Sequence, residues 1–131
     1  MTFARIFLWL AAAMSVVAGL VYVVSPLLMT ASAGFGELLP GGTTDVRATY
    51  GGLQLGLGIF FAWTALDPTR IRSGLVLALL IFGALASCRA VGVVLDASLN
   101  EFHRTGLIFE TLLTLVALAA VVKIPTPAAT R

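Results

Sequence analysis

The chain has 131 residues, 60% of them hydrophobic and only 11% charged, with a mean hydropathy of +1.05. A soluble domain is about 45–50% apolar and about 25% charged, so the composition excludes a water-soluble globule, a disordered chain and a collagen-like fibre. Eight basic against six acidic residues leave a net charge of +2, but the basic residues are scattered with no cluster to track a phosphate backbone, and no nucleic acid is expected as a partner.

Residues 6–36 carry no charge. A helix of about 20 apolar residues crosses a hydrocarbon core of about 30 Å, so residues 6–28 form the first predicted span, with Pro26 marking its end. Arg5, the apolar run and Ala31-Ser32-Ala33 also imitate a signal peptide. The run exceeds the usual apolar region of about 7–15 residues, which favours an uncleaved helix.

The second predicted span covers 46–66. Gly52 and Gly56 form a GxxxG pair with Gly51 and Gly58 beside it, and bare backbone of this kind lets another helix approach closely. Packing inside the protein, homodimerisation and room for a ligand are the three uses such a face can serve. Asp45 is placed in the first turn, where a carboxylate suits the positive end of the helix dipole.

A third span, 73–95, is interrupted only by Arg89, and its Gly83, Ser87 and Gly92 suggest another stripe of small residues. Cys88, the lone cysteine, excludes an intrachain disulfide and reads as a small packing residue. The fourth span, 105–122, is interrupted only by Glu110. The expectation is an all-α integral membrane four-helix bundle forming one domain over 1–131, with connections near 29–44, 67–72 and 96–104.

An even number of crossings puts both termini on one side with the 67–72 turn. That side holds Arg5, Arg70, Arg72, Lys123 and Arg131, so the positive-inside rule makes it cytoplasmic, in a multi-pass protein of the cell inner membrane.

Every ionisable residue within a span falls in its outer half. Arg89 lies seven residues before Asp96, roughly 10 Å inside the helix end, and Glu110 lies six after Arg104, roughly 9 Å down the next helix. Either charge alone at mid-bilayer costs about 2.5–3.5 kcal/mol. A guanidinium facing a carboxylate removes much of that penalty, so the two are predicted to pair. Arg47, Tyr50 and Gln54 follow at i, i+3 and i+7 on the second helix, as do Arg89 and Asp96 at i and i+7 on the third, and His103, Glu110 and Thr114 fall on one face of the fourth. Converging, these faces make a polar pocket open to the exterior. Its candidate ligand-binding residues are Arg47, Tyr50, Gln54, Arg89, Asp96, His103 and Glu110. Near the interface, Arg47, Asp96, His103 and Arg104 can equally serve as anchors, as can Tyr50. No ligand spacing supports a metal and no serine elbow supports nucleophilic catalysis.

The segment Asp45-Val46-Arg47-Ala48-Thr49-Tyr50-Gly51-Gly52-Leu53-Gln54-Leu55-Gly56-Leu57-Gly58 resembles the hallmark of a family of small bacterial multi-pass proteins known only as a domain of unknown function, and Arg89 and Glu110 resemble that family's intramembrane charges. The resemblance covers most of the chain. It implies a four-helix membrane protein and supplies no activity. More distantly, the layout is similar to DoxX-like four-helix membrane proteins, some of them subunits of quinone-linked oxidoreductases.

Three functions follow. The first is binding of an amphipathic lipophile (a quinone, isoprenoid or lipid) in the outer pocket. The second is a non-catalytic accessory role in a larger membrane complex or a homodimer. The third is a small membrane enzyme using Glu110 or His103 as acid or base. Neither a cofactor nor a reaction is identified by the sequence.

Overall fold

The computed structural model describes residues 2–124, and every regular element among them is helical. Helix α1 is Thr2–Val24, α2 Pro26–Ser32 and α3 Pro40–Val46. A π-helix, Arg47–Gly52, leads from α3 directly into α4, Leu53–Leu66; α5 is Ile71–Leu95 and α6 is Glu101–Lys123.

The four expected helices thus become six α-helices and one π-helix among the described residues. Pro26 accounts for the first difference. A residue before proline is pushed out of the helical region, and Ser25 sits at φ −132°, ψ 65°. Pro26 then opens a new helix, where its missing N–H is no loss. Helix α2 stops in a Schellman turn: Gly34, at φ 87°, supplies the left-handed residue, its N–H donates to Ala31 O, and Phe35 N–H donates to Thr30 O. The expected connection 29–44 therefore contains the end of α2 and much of α3. Because α3 starts at Pro40, Asp45 lies beyond its first turn rather than in it.

Helices α1, α5 and α6 are long and apolar enough to cross a membrane. Their 23 to 25 residues span at least about 34 Å, against a hydrocarbon core of about 30 Å. Helix α4 alone, 14 residues, reaches only about 21 Å. It is, however, the last part of one helical path running from Pro40 to Leu66.

Two compact units divide the chain: Phe7–Trp63, and the start of α1 through Ile6 together with the chain from Thr64 onward. In both, the interior mixes small and large side chains, and many large apolar ones lie outside. Ala4, Ala11, Ala12, Ala65, Ala78, Ala117 and Ala120 are buried beside Leu8, Phe61, Ile71 and Leu75, whereas Leu10, Val17, Ile59, Leu80, Val94 and Val122 are exposed. Water drives large apolar groups inward; a helix able to cross a membrane can leave them outside, and its small residues let backbones close in.

Within Phe7–Trp63, glycines set the approach of α1 to the π-helix and α4. A Cβ on Gly58 would lie 2.6 Å from Val16 Cγ2 and 3.1 Å from Ala12 O; on Gly19, 2.8 Å from Leu55 Cγ; on Gly51, 2.7 Å from Val23 Cγ2. The expected GxxxG pair is not this contact. A Cβ on Gly52 or Gly56 meets nothing within 4 Å, because Gly51, Leu55 and Gly58 share the face turned to α1 and their neighbours point elsewhere.

In the other unit α5 and α6 form an antiparallel hairpin. Helix α5 ends with Ala97 in the left-handed region at φ 46°, and Ser98 N–H donates to Val93 O. Asn100 caps α6, its Oδ1 accepting from His103 N–H at 2.8 Å, so this helix begins four residues before the expected 105. Cys88 is exposed on α5 rather than packed, and a Cβ on Gly92 meets open space. At the far end, the Thr69 hydroxyl and backbone N–H both donate to Asp67 Oδ1, and Arg70 stands 3.3 Å from its Oδ2. The hydroxyl first, then the backbone N–H and the arginine, hold this carboxyl below its ordinary value.

Two predictions follow from the backbone. Gly58→Ala lowers stability by about 1–3 kcal/mol through overpacking, while Gly56→Ala is neutral or stabilising by up to about 1 kcal/mol; unfolding of each variant in detergent micelles measures the difference. Ala97→Gly removes a left-handed alanine and raises stability by about 1 kcal/mol in the same assay.

Candidate functional site

The site lies on the α5–α6 hairpin. Arg89 Nε donates to Glu110 Oε2 at 2.8 Å and its Nη2 to Oε1 at 2.6 Å, a two-pronged pair. The two side chains keep only 20% and 10% of their surface exposed. Antiparallel helices explain the meeting: each charge sits about two turns in from the 96–100 connection, so their depths match.

Local sequence holds the pair in place. Gly106 provides a notch on α6, where a Cβ would stand 2.9 Å from Arg89 Cζ and Nε. The Phe102 ring centroid is 5.7 Å from Cζ of the same guanidinium, within the range of a cation–π contact. Thr114 donates its hydroxyl to Glu110 O at 2.7 Å, one turn below. Phe102, Gly106 and Glu110 stand at i, i+4 and i+8, one face of α6.

His103 joins them: Arg89 Nη1 lies 3.1 Å from its Nδ1. A guanidinium only donates, so Nδ1 is the acceptor and the ring carries its proton on Nε2. The Phe102 ring meets this imidazole edge-on, with centroids 5.6 Å apart. Both Glu110 oxygens are engaged by Arg89, and the Nε2–H of His103 remains as a donor without a protein acceptor among the described residues. A groove of about 330 Å³ on the same two helices is lined on α5 by Gly83, Ala86 and Ala90 and on α6 by Leu107, Thr111 and Leu115; Arg89, His103 and Glu110 do not line it. Its volume is at the lower end for small-molecule sites.

Of the seven candidate residues, the structure brings Arg89, His103 and Glu110 together. Asp96 is exposed at the C-cap of α5 and makes no side-chain hydrogen bond or ion pair among the described residues. Arg47, Tyr50 and Gln54 belong to the other unit. There Arg47 Nε donates to Val23 O at 3.0 Å and Tyr50 stacks on Tyr22 with centroids 5.4 Å apart, while Gln54 is half-buried. The π-helix makes a wider turn than an α-helix, so the even i, i+3, i+7 stripe expected for these three does not carry through it. Sequence reasoning missed Asn100, Phe102 and Gly106; the helical spacing of the last two with Glu110 was a signal that could have found them.

A family model matches residues 3–121, and its description is Domain of unknown function (DUF4345). No curated protein and no solved structure matches.

Removing one partner leaves a buried charge without compensation, so Arg89→Ala or Glu110→Ala destabilises the hairpin by about 3–5 kcal/mol. The double variant Arg89→Met/Glu110→Leu, with both charges gone and the volume kept, recovers most of this loss. Thermal unfolding of the three variants beside the wild type tests the pair.

Proposed function

The chain belongs to the DUF4345 family, whose description assigns no activity, and from that premise we propose a four-span membrane protein that binds an amphipathic lipophile. The spans are α1, the path from Pro40 to Leu66, α5 and α6. Both termini lie on the cytoplasmic side of the inner membrane, the side given the larger share of basic residues. The polar head of a quinone, isoprenoid or lipid meets the Arg89–His103 edge, accepting from His103 Nε2–H beside the guanidinium. Its chain follows the groove of small side chains between α5 and α6.

The observation that carries this reading is the His103 ring held at Nδ1 by a guanidinium that is itself paired with Glu110, on two helices long and apolar enough to cross a membrane. Polar groups inside spans are rare and mark binding paths more often than decoration. Both Glu110 oxygens are held by Arg89, which suits a fixed counter-ion that positions the guanidinium. A second reading, an accessory subunit of a larger membrane complex (a quinone-linked redox complex included), draws on the exposed, uncovered backbone at Gly52 and Gly56.

Native mass spectrometry with lipid extraction on the purified full chain tests the proposal. The wild type retains a lipophile and Arg89→Met/Glu110→Leu, folded by circular dichroism, loses it. Equal retention by the double variant refutes the binding site.

A further inference from the structure

Arg72 stands in the first turn of α5, at the opposite end of the hairpin from Arg89. Its guanidinium makes no hydrogen bond or ion pair with any described residue, and one of its nitrogens, Nη1, is shut off from solvent without an acceptor. Arg72 as a whole is half-buried, so the cost falls on this one donor nitrogen, which has lost water and gained no acceptor. The nearest acid in sequence is already committed: Asp67 Oδ1 accepts twice from Thr69, and its Oδ2 faces Arg70.

Arg72 also lines a shallow groove of about 440 Å³ together with Thr69, Ser73, Val76, Leu77 and Leu80. The lining changes character along the helix. Three polar residues stand at its end, and three apolar ones follow toward the middle of a helix long enough to cross a membrane. That order is the order of a phospholipid: charged head at the interface, acyl chain below. The sign is complementary as well, because the planar fork of an arginine matches two phosphate oxygens.

We propose that this groove is a binding site for the phosphate of an anionic phospholipid. Arg72 grips the phosphate, drawing the guanidinium toward the groove and giving its stranded donors an acceptor. The Ser73 hydroxyl donates beside it, and one acyl chain lies along Val76, Leu77 and Leu80. The site rests on α5 crossing the bilayer and is independent of the lipophile proposed at Arg89.

The test is native mass spectrometry of the full chain in detergent, titrated with phosphatidylglycerol or with phosphatidylcholine of the same acyl chains. The wild type binds phosphatidylglycerol preferentially; Arg72→Gln weakens that binding about fivefold, and Arg70→Gln leaves it unchanged. The Arg89→Met/Glu110→Leu variant keeps the preference, so the two sites fail separately. Equal binding of both lipids by the wild type overturns the proposal without any variant, as does undiminished binding by Arg72→Gln. Displacement of the lipid by millimolar inorganic phosphate also overturns it, since that outcome assigns the site to free phosphate. Should Arg72→Gln not fold, Arg72→Lys keeps the charge without the fork and must bind phosphatidylglycerol more weakly than the wild type; equal affinity overturns the role given to the guanidinium.

Discussion

The bidentate contact between Arg89 and Glu110 fixes how α5 and α6 lie against each other. Either charge alone inside a membrane-crossing helix is costly, and each finds a partner in the other helix. Sliding α6 by one turn, about 5.4 Å, would break both hydrogen bonds and leave two isolated ions. Neighbouring residues serve this register: the Asn100 cap sets where α6 begins, and the Gly106 notch admits the guanidinium against the helix backbone. An apolar hairpin has many nearly equivalent packings, because one leucine contact resembles the next. A single ion pair makes one of them distinct.

A different constraint governs Phe7–Trp63. No ion pair is recorded there among the described residues; the approach of α1 to α4 is set by what is missing from Gly19, Gly51 and Gly58. The π-helix belongs to the same contact. Its wider turn includes Gly51, where Val23 presses on the backbone, and it also carries Arg47, which reaches Val23 O. Two glycines in a row offer little resistance to an irregular turn, since neither has a side chain to hold helical geometry. The segment most specific to the family resemblance is thus also the most irregular stretch of helix, and π-turns of this kind recur at functional sites.

How far the sequence was legible follows from what each signal encodes. The depth of Arg89 and Glu110 could be counted from the helix ends, and antiparallel neighbours turn equal depth into contact, so their pairing was readable. The GxxxG pair misled because spacing states that Gly52 and Gly56 share a face without stating which way that face points. Only the partner helix decides that, and it chose Gly51 and Gly58. The start of α6 was placed late because the span was drawn from the uncharged run, whereas the helix obeys its cap and begins among charged residues. The break at Ser25 follows from the proline after it, but the new helix that Pro26 opens depends on the Schellman turn at Gly34, which a hydropathy pattern does not register.

Two arginines on one helix show how the same side chain takes opposite parts. Arg89 and Arg72 are separated by about 25 Å of α5, toward opposite ends of one helix. Arg89 is met by a carboxylate, an imidazole and an aromatic ring of the chain itself, so its charge is spent on holding α6. Arg72 is met by no acceptor among the described residues, although Asp67 and Thr69 stand close in sequence and bond to each other. A soluble protein could turn such a side chain into water. On α5, which is long and apolar enough to cross a membrane, the acceptor proposed for Arg72 is the phosphate of a lipid. The chain itself supplies the acceptors of one of these arginines; the proposed phospholipid supplies that of the other.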